Sequence, residues 1–599
     1  MKKLLSTLCL LLVSPLCGWT ATLYMGSGEA YTNLQAAMSA MSDGDTLIIR
    51  DGLYTGETNT INDSHLPPSG NSGADGIDNT ADDVYTTIRA ENPGSVLFDG
   101  EGIQSAMVSV ISTSTQRYIA FDGLGWCRSN DEILWFWNYA DYFKITNCYF
   151  YDSGIGGANS SSALYFAHSN YILIEDCQSY GESGYGIIVR DSQNCILRRC
   201  VVRKDAARSV RTSGISIYSC NNVEVQNCII IDSDQIGYYT DITDSPYAIW
   251  LIDTNGPNTN IYVRGCIILG WWRGAFYVED SASTTGAIYD SIFYDGGYGV
   301  WDRSNNFTIQ NTIVGSMSES GWSGFSSMYS VVNSMSFGIT GYGIKTDTTH
   351  DYCLFYNNSL GNFYSDTSAA THDFCSQNSN EINPLTSGLL YPTRIEDAST
   401  LKTGGESGGQ IGPNILHEIG TAGTYYGDIG YNTTTETNLW PFPNEDVIKT
   451  KMADYTWDDG SGGDPEVTGD RGFASSTAKQ LDGVSDVTLT SYIWEYLGNQ
   501  IPADIYGAGT TRYYLDADGD GYSTGDYQDA ESDPGETWYT VGELTATSGD
   551  CDDSNTAINP GATDSSCDGV DQDCSGSDNC PVSVSAFLSG AAVFGATIY

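Results

Sequence analysis

The sequence predicts an all-β solenoid, in which short strands stack coil upon coil. Three observations indicate this fold: a short Cys-containing motif recurs along the chain, a period-two strand pattern precedes most of its copies, and Gly (67) and Tyr (41) are abundant. Of the 599 residues, 40% are apolar. That is enough for a large core and excludes wholesale disorder.

The N-terminus has the pattern of a bacterial-type export signal. Two lysines precede an apolar stretch from Leu4 to Val13, and small and turn residues follow it. Such a stretch is too short for a stable membrane span. We expect residues 1–21 to be a signal peptide and the mature protein to be secreted or held at the cell surface, with no transmembrane segment. Lipidation at Cys17 is the alternative, which Leu16 disfavours.

A short helix that leads into a strand is predicted at the start of the mature chain. The segment YTNLQAAMSAM spaces Leu34, Met38 and Met41 at helical intervals, with Thr32 as the N-cap. The next segment, GDTLIIRDGLYTG, is strand-like with turn residues at both ends. This combination resembles the N-terminal cap of right-handed parallel β-helix proteins, which covers the otherwise unpaired edge of the first coil.

The repeated motif is carried by the segments YFKITNC, YILIEDC, CILRRC, VEVQNC, IYVRGC, AIYDS and FTIQNT, whose last residues are 29, 23, 28, 38, 25 and 21 positions apart. A strand-and-turn repeat of about 20–40 residues indicates stacked β-coils. We predict one inward column of small residues, with buried thiols and no disulfides, because neighbours about 4.8 Å apart do not aim their sulfurs at each other. The column is Cys148, Cys177, Cys200, Cys228, Cys266, Ser291 and Thr312.

A second strand pattern, with period two, precedes these motifs in ALYFAH, GIIVRD, GISIYS, AIWLID, GAFYVE and GVWDRS. The side chains predicted to point inward are Leu164, Ile187, Ile215, Ile249, Ala275 and Val300. One outward column is Tyr165, Ile188, Ser216, Trp250, Phe276 and Trp301, and the next contains Arg190, Tyr218 and Arg303. We expect a right-handed parallel β-helix over residues 22–430, a C-terminal cap or linker region over 431–510 that contains a helix in 491–502, an Asp/Cys-rich module over 511–580 and an uncharged tail over 581–599.

The outward aromatic column suits the faces of sugar rings. The acids Asp191, Asp253 and Glu279 follow the same strands, at predicted separations of about 5 and 10 Å that bracket the geometries of retaining and inverting glycosidases. Solvated turn residues are the alternative. The segments NTD, GHG and RIK, which we associate with pectin-type hydrolases, are absent, as are HExxH, GxSxG and P-loop patterns.

Six of the 25 bases form a basic island in LRRCVVRKDAARSVR. One interpretation is an acidic-polysaccharide site, in which Lys204 and Arg203 neutralise a uronate carboxylate and remove the α-proton for β-elimination. The alternative is pairing with acids of neighbouring rungs, such as Glu175, Asp176 and Glu224. The island consists of Arg198, Arg199, Arg203, Lys204, Arg208 and Arg211.

The composition changes at Thr511, and residues 511–580 hold 17 of the 75 acids. In DADGDGY, Asp516, Asp518 and Asp520 stand at positions 1, 3 and 5 and Gly at position 6, as in the first half of an EF-hand loop. The Glu expected at position 12 is replaced by Tyr527, so the EF-hand is incomplete. The segment GDCDDSNTAINPGATDSSCDGVDQDCSG follows.

Together these segments resemble the metal-binding-motif repeat of bacterial secreted and surface proteins, whose pattern matches residues 511–580. The resemblance implies Ca²⁺ sites of Asp oxygens and two disulfides of open connectivity. Copper is associated with some members, but carboxylates without a nearby His favour Ca²⁺. A solvated acidic linker is the alternative. The implied ligands are Asp516, Asp518, Asp520, Asp552, Asp553, Asp568, Asp571 and Asp573, and the implied disulfide cysteines are Cys551, Cys567, Cys574 and Cys580.

Charge narrows the class of partner. Twenty-five Lys and Arg against 75 Asp and Glu give a formal net charge of −50, which would repel nucleic acid and anionic membranes. The sequence therefore predicts an exported protein that engages a polysaccharide or cell-surface glycan, with lyase action on acidic glycans ahead of glycoside hydrolysis. The alternative is a non-catalytic structural or adhesive surface protein, attached through its Ca²⁺ module.

Overall fold

The computed structural model divides the chain into two compact units, Met1–Gln500 and Ile501–Tyr599. Residues 1–19, which contain most of the predicted signal peptide, lie outside the described part of the chain. The described residues are 20–80, 82–111, 116–138, 140–155, 161–181, 184–205, 213–231, 247–279, 282–318, 323–326, 329–345, 348–364, 368–457, 467–506, 511–530, 534–535, 537–540, 543–564, 569–575, 587–588 and 591–592.

The first unit is a parallel β-helix built from three long sheets. Within the described residues these sheets have 13, 12 and 12 strands, and the chain passes from sheet 1 to sheet 2 to sheet 3 and back once per coil. Sheet 1 consists of Thr22–Met25, Thr46–Ile49, Thr86–Ala90, Gln116–Asp122, Ala140–Thr146, Asn170–Glu175, Gln193–Arg198, Asn221–Gln226, Thr259–Arg264, Gly286–Tyr289, Phe307–Gln310, Ser330–Val332 and Thr349–Asp351.

Each strand of sheets 2 and 3 likewise pairs in parallel with the strand one coil before it and the strand one coil after it. Sheet 2 consists of Gly52–Thr55, Val96–Asp99, Leu124–Cys127, Tyr149–Tyr151, Gln178–Tyr180, Val201–Arg203, Ile229–Ile231, Ile267–Leu269, Ile292–Tyr294, Ile313–Gly315, Met335–Phe337 and Leu354–Tyr356. Sheet 3 consists of Ile61–Asn62, Val108–Val110, Leu134–Phe136, Ser162–Ala167, Tyr185–Arg190, Ser213–Tyr218, Tyr247–Ile252, Gly274–Val278, Tyr298–Asp302, Ser323–Ser326, Tyr342–Lys345 and Gly361–Phe363.

Short elements complete both units. The described α-helices are Leu34–Ala40, Glu445–Ala453 and Leu489–Trp494, and the described 3₁₀ turns are Glu57–Asn59, Ser376–Asn378, Thr400–Lys402, Glu406–Gly408 and Gly472–Ala474. Antiparallel pairs join His417–Ile419 to Thr434–Asn438, Thr456–Trp457 to Val467–Thr468, and Phe587–Leu588 to Ala591–Ala592. In the second unit, Thr511–Leu515 pairs with both Tyr527–Ala530 and Trp538–Tyr539.

The predicted N-terminal helix is confirmed, with a different cap. The helix Leu34–Ala40 buries Leu34 and Met38 against the first coil. Its N-cap is Asn33, whose side-chain oxygen accepts a hydrogen bond from the Ala36 amide at 3.0 Å, so the prediction of Thr32 is wrong by one residue. Both residue types favour this position because their side-chain oxygen can satisfy a free amide of the first turn.

The turn from sheet 1 to sheet 2 explains the repeated Cys motif. The residue before each small inward residue has positive φ, as at Asn147 (53°), Asp176 (54°) and Asn227 (49°), a conformation that Asn and Asp tolerate better than most residues. The next side chain then enters the core. The predicted column of buried thiols is confirmed: its five cysteines are free, and each donates a hydrogen bond to a main-chain carbonyl.

The predicted register of sheet 3 is correct except at one strand. Ile249 and Val300 face the core as predicted, but the residue paired with both is Phe276, not Ala275. Phe276 is completely buried in the core, and Tyr277 takes the outward position. The two strands begin in register, with Tyr247 beside Gly274, so aligning the segments by their letters, which places Gly274 against Ala248, shifts the alternation by one.

The segment after the last coil packs on the outside of sheet 1. Arg198 is fully buried there, and its guanidinium donates to the Glu175 carboxylate at 2.9 Å, to the Thr421 carbonyl at 2.8 Å and to the Tyr431 carbonyl at 3.0 Å. The Glu175 carboxylate also accepts from the Gly423 amide at 2.8 Å. One buried ion pair therefore holds residues 421–431 against the β-helix.

The same C-terminal segment covers part of sheet 2. Arg203 is fully buried, and its guanidinium donates to the Met452 and Gly469 carbonyls at 2.9 and 3.1 Å and contacts the Asp205 carboxylate at 3.0 Å. The ring of Tyr455 packs edge-on against the ring of Tyr180. Main-chain carbonyls of the covering segment thus bind charged side chains of the β-helix directly.

We expect Glu175→Ala to destabilise the first unit, because it leaves Arg198 and Arg199 buried without their shared carboxylate. Removing one partner of a buried ion pair lowers the free energy of unfolding by about 3–5 kcal/mol. Denaturant unfolding monitored by Trp fluorescence measures this change. Glu436→Ala, which removes an exposed carboxylate of the same segment, should change it by less than about 0.5 kcal/mol. Equal stabilities of the two variants would contradict the proposed clamp.

Candidate functional site

The outer face of sheet 3 carries an aromatic column. In rung order its register is Trp135, Tyr165, Ile188, Ser216, Trp250, Tyr277 and Trp301. Neighbouring rings pack on one another: Tyr277 lies 5.2 Å from Trp301 and 4.3 Å from Tyr247 between centroids. This packing buries the middle of the column, where Tyr165, Trp250 and Tyr277 are each 7% exposed.

A second outward column lies beside the first, nearer the carboxyl ends of the strands. Its register is Ala167, Arg190, Tyr218 and Ile252. Trp137 precedes Ala167 in this column, because Phe136 pairs with Phe166. Glu279 and Arg303 continue it, because the Glu279 amide donates to the Leu251 carbonyl and the Arg303 amide to the Val278 carbonyl. We call the accessible part of both columns, with the two acids just beyond them, the sheet 3 rim: Trp137, Arg190, Asp191, Tyr218, Asp253, Glu279, Trp301 and Arg303.

Both rim arginines are tied to outward tyrosines. Arg190 donates to the Tyr165 hydroxyl at 3.2 Å, pairs with the Asp191 carboxylate at 3.2 Å and lies over the Trp137 and Tyr218 rings. Arg303 donates to the Tyr277 hydroxyl at 3.1 Å. These contacts hold the guanidinium groups flat along the aromatic surface, where they contribute cation–π attraction to it.

The predicted acid pair is brought together. A Glu279 carboxylate oxygen lies 3.5 Å from the Asp253 amide nitrogen, within reach of its hydrogen. Partial burial raises the pKa of Glu279, and the adjacent Asp253 carboxyl raises the pKa further because a neighbouring negative charge disfavours ionisation. Asp191 is linked to the same end of the sheet through Asn255, which donates to it at 2.8 Å.

The basic island does not join this surface. Arg198 and Arg203 are fully buried, and Arg199 and Lys204 are 3% and 2% exposed. Arg198 and Arg199 pair with Glu175, and Arg199 also pairs with Asp176, so the pairing alternative describes these two residues. Glu224 pairs instead with Arg264, which is outside the island. Arg208 and Arg211 lie outside the described residues. A polymer at the protein surface does not meet Lys204 or Arg203 in this arrangement.

In the second unit, two loops bring five carboxylates together. Asp516 is nearly buried, and its carboxylate accepts from the amides of Gly519 at 2.7 Å and Gly521 at 2.9 Å. Within one group of three, oxygens of Asp516, Asp518 and Asp553 lie within 4.8 Å of one another, and Asp518, Asp520 and Asp550 form a second such group. Gly521 has φ of +92°, which explains the glycine at position 6 of the loop.

This cluster fits a hard cation. One buried carboxylate oxygen of Asp518 and one of Asp550 have no hydrogen-bond partner among the described residues. Burial and the neighbouring carboxylates raise the pKa values of Asp518, Asp550 and Asp553. A divalent cation would satisfy the unpaired oxygens and remove the repulsion, and an all-oxygen set is the one that Ca²⁺ prefers.

A disulfide links the two ends of the metal-binding motif. Cys551 pairs with Cys574, while Cys567 and Cys580 lie outside the described residues. Oxygens of Asp564, Asp571 and Asp573 form a third group within 4.8 Å. Because the disulfide joins the loop after Asp550 to the segment that holds Asp571 and Asp573, it ties both acidic loops to one scaffold.

Family comparison identifies both parts of the chain. The family described as "Right handed beta helix region" matches residues 69–261. This part of the chain is a right-handed parallel β-helix. The family described as "Putative metal-binding motif" matches residues 550–579, which places Asp550 and the Cys551–Cys574 disulfide in a metal-binding motif. No curated protein matches the sequence.

Three solved structures illustrate what the β-helix is similar to. Pectate lyase Pel9A is 14% identical over 66% of this chain and 96% of its own, with a TM-score of 0.41. An alginate lyase from Paenibacillus sp. str. FPU-7 is 13% identical over 58% and 99%, with a TM-score of 0.31. The catalytic domain of a GH87 α-1,3-glucanase in complex with nigerose is 11% identical over 54% and 62%, with a TM-score of 0.35.

The structure assembles only part of each predicted residue set. Of the predicted metal ligands, Asp552 is in none of the described groups and instead accepts from the Ser554 hydroxyl at 2.6 Å, and Asp568 lies outside the described residues. Sequence reasoning missed Asp550 and Asp564. Asp550 is the first acid of the GDCDD segment and could have been recognised there, whereas only the fold brings Asp564 close to Asp571. No helix among the described residues is long and apolar enough to span a membrane.

We expect the triple variant Asp516→Asn, Asp518→Asn and Asp550→Asn to bind Ca²⁺ at least about 100-fold more weakly, since losing groups beyond the ligands alone costs about 10–100-fold. Calorimetric titration of the full chain measures the affinity. Binding of the wild type should weaken as the pH falls, because protons compete for the same carboxylates. The control, Asp43→Asn with Asp51→Asn and Asp397→Asn, removes three exposed charges of the first unit. Equal loss in both variants would refute a localised site.

Proposed function

We propose that this protein binds a polysaccharide along the sheet 3 rim. The observation that carries the proposal is the series of half-buried aromatic rings, Trp137, Tyr218 and Trp301, presented beside carboxylates on one sheet face. An aromatic face packs against the C–H groups of a sugar ring, and carboxylates accept hydrogen bonds from its hydroxyls. Because successive rungs lie about 4.8 Å apart, a polymer of sugar rings can use several rungs at once.

The covering of the other sheets supports this location. Residues 421–431 lie against sheet 1, and the segment containing Met452, Tyr455 and Gly469 lies against sheet 2. The outer face of sheet 3 keeps half-exposed rings and charged groups at its rim. Polymer binding therefore needs no displacement of the packed C-terminal segment.

We also propose that the second unit binds Ca²⁺ and that the protein is exported. The oxygen-only ligand set supports Ca²⁺ over copper, since residues 511–580 contain no His. A signal-like N-terminus supports export. The alternative function, a non-catalytic adhesive or structural surface protein, is favoured by one observation: the metal-binding motif occupies a compact unit of its own. Ca²⁺-dependent attachment to cells without polymer binding would select this alternative.

Lyase action on an acidic glycan remains the first enzymatic hypothesis from the sequence, but it receives no support from the position of its residues. β-Elimination needs a base that reaches the α-proton of a uronate. Lys204 and Arg203 are buried, and Arg203 is bound to Asp205. Our proposal is therefore restricted to binding at the rim.

We expect Trp137→Ala with Trp301→Ala to weaken polysaccharide binding by about 5- to 100-fold, because each aromatic face contributes about 0.5–1.5 kcal/mol. Glycan-array binding and affinity electrophoresis measure the change, with circular dichroism as the folding control. The matched control is Tyr329→Ala with Tyr527→Ala, which removes two exposed rings outside the rim. A folded rim variant that binds as tightly as the wild type would show that the polysaccharide site is not the sheet 3 rim.

A further inference from the structure

The described arginines of the basic island, which the sequence suggested for binding an acidic polymer, form ion pairs inside the protein. Arg198 and Arg199 share the Glu175 carboxylate, and Arg203 is paired with Asp205. All three guanidinium groups lie beneath or within the contact with the C-terminal segment. They cannot exchange these partners for a uronate without detaching that segment.

Among the rim residues themselves, acids outnumber bases. Three of the rim residues are acids, Asp191, Asp253 and Glu279, and two are bases. Arg190 is already bound to Asp191 and to the Tyr165 hydroxyl, and Arg303 to the Tyr277 hydroxyl. A carboxylate brought here would lose its hydration shell in exchange for cations whose charge is partly compensated.

We propose that the sheet 3 rim selects uncharged polysaccharides and disfavours polyuronates, with Asp253 and Glu279 as the residues that set this preference. The proposal rests on the proposed function, since it names the substrate class of the same site. Hydroxyl groups of a neutral sugar can donate charge-assisted hydrogen bonds to these carboxylates. A uronate brings a like charge to the middle of the rim, in a chain whose formal net charge is −50.

The position of Asp253 and Glu279 on neighbouring rungs means that a bound polyuronate cannot avoid their repulsion. Glu279 lies on the rung between Ile252 and Arg303, and Asp253 is in contact with it. Polyuronates carry one charge per sugar, so any register of the polymer along the rim brings a charge close to these two acids. A partly esterified or neutral polymer avoids the repulsion wherever its uncharged units fall.

The direct test compares polymers that differ only in charge. The probes are polygalacturonate and its fully methyl-esterified form, together with neutral xylan, laminarin and cello-oligosaccharides, titrated against the full chain in the presence of EDTA. We expect the ester or a neutral polymer to bind at least tenfold more tightly than polygalacturonate. Equal or tighter binding of the acid, with EDTA or with added Ca²⁺, would overturn the proposed selectivity while leaving polysaccharide binding intact. Absence of binding to every polymer would instead remove the proposed function.

The residues that set the preference are tested by Asp253→Asn with Glu279→Gln. This pair removes the charges without changing side-chain size, so we expect binding of polygalacturonate to strengthen at least tenfold and binding of the neutral polymer to change less than threefold. The control, Asp397→Asn with Glu436→Gln, makes the same change in net charge at exposed positions away from the rim. An equal gain in the control would assign the effect to net charge and overturn the role of the two acids.

A salt series on the wild type gives a second measurement that does not depend on a variant folding. Repulsion between the rim and a polyuronate is screened by salt. Binding of polygalacturonate should therefore strengthen between low and physiological ionic strength, while binding of the neutral polymer stays level. Weakening of polygalacturonate binding over the same series would show net attraction and contradict the proposal.

Discussion

The turn from sheet 1 to sheet 2 is the constraint on which the β-helix depends. It is made by one residue with positive φ followed by one small inward residue, as at Asn147 and Cys148. Because such a turn leaves no room for an additional residue, the strands of sheets 1 and 2 keep the same register from coil to coil. A larger side chain in the inward column would separate coils that must stay about 4.8 Å apart to keep their hydrogen bonds. Cys, Ser and Thr meet this limit, and each can donate to a carbonyl of the turn.

Charged groups are divided between two tasks. The acid–base pairs around Arg198 and Arg203 bind main-chain carbonyls of the C-terminal segment and fix it to sheets 1 and 2. Pairing keeps these charges compatible with burial, because each guanidinium meets a carboxylate or several carbonyls. The carboxylates of the second unit instead crowd together with unpaired oxygens. The first arrangement is complete within the protein, whereas we propose that a cation completes the second.

The stacked β-coils were predictable from the sequence because backbone geometry enforces their repeat. The column of buried thiols and most inward positions of sheet 3 follow from that repeat. The inward position of Phe276 was not predictable, because aligning the two segments by their letters gives no sign of the one-residue offset between them. The burial of Lys204 could not be predicted either, since a strand pattern shows which side chains face outward but not which segment of the chain covers them. In the second unit, Asp516, Asp518 and Asp520 were recognisable from spacing within one loop. Asp564 joins Asp571 and Asp573 only through the fold.

The same turn geometry supports sheet 3 as the face that we propose for polymer binding. From the strand Ala140–Thr146 onward, every connection from sheet 1 to sheet 2 has two residues. The connections from sheet 2 to sheet 3 run from the short link between Tyr294 and Tyr298 to the long one between Ile231 and Tyr247. Variation in chain length therefore accumulates next to the sheet 3 strands. Among the described residues, the contacts of the C-terminal segment cited above are with sheets 1 and 2. Sheets 1 and 2 are therefore uniform from coil to coil, whereas sheet 3 carries rings and carboxylates that differ from rung to rung. Such variation along one face suits recognition of a polymer.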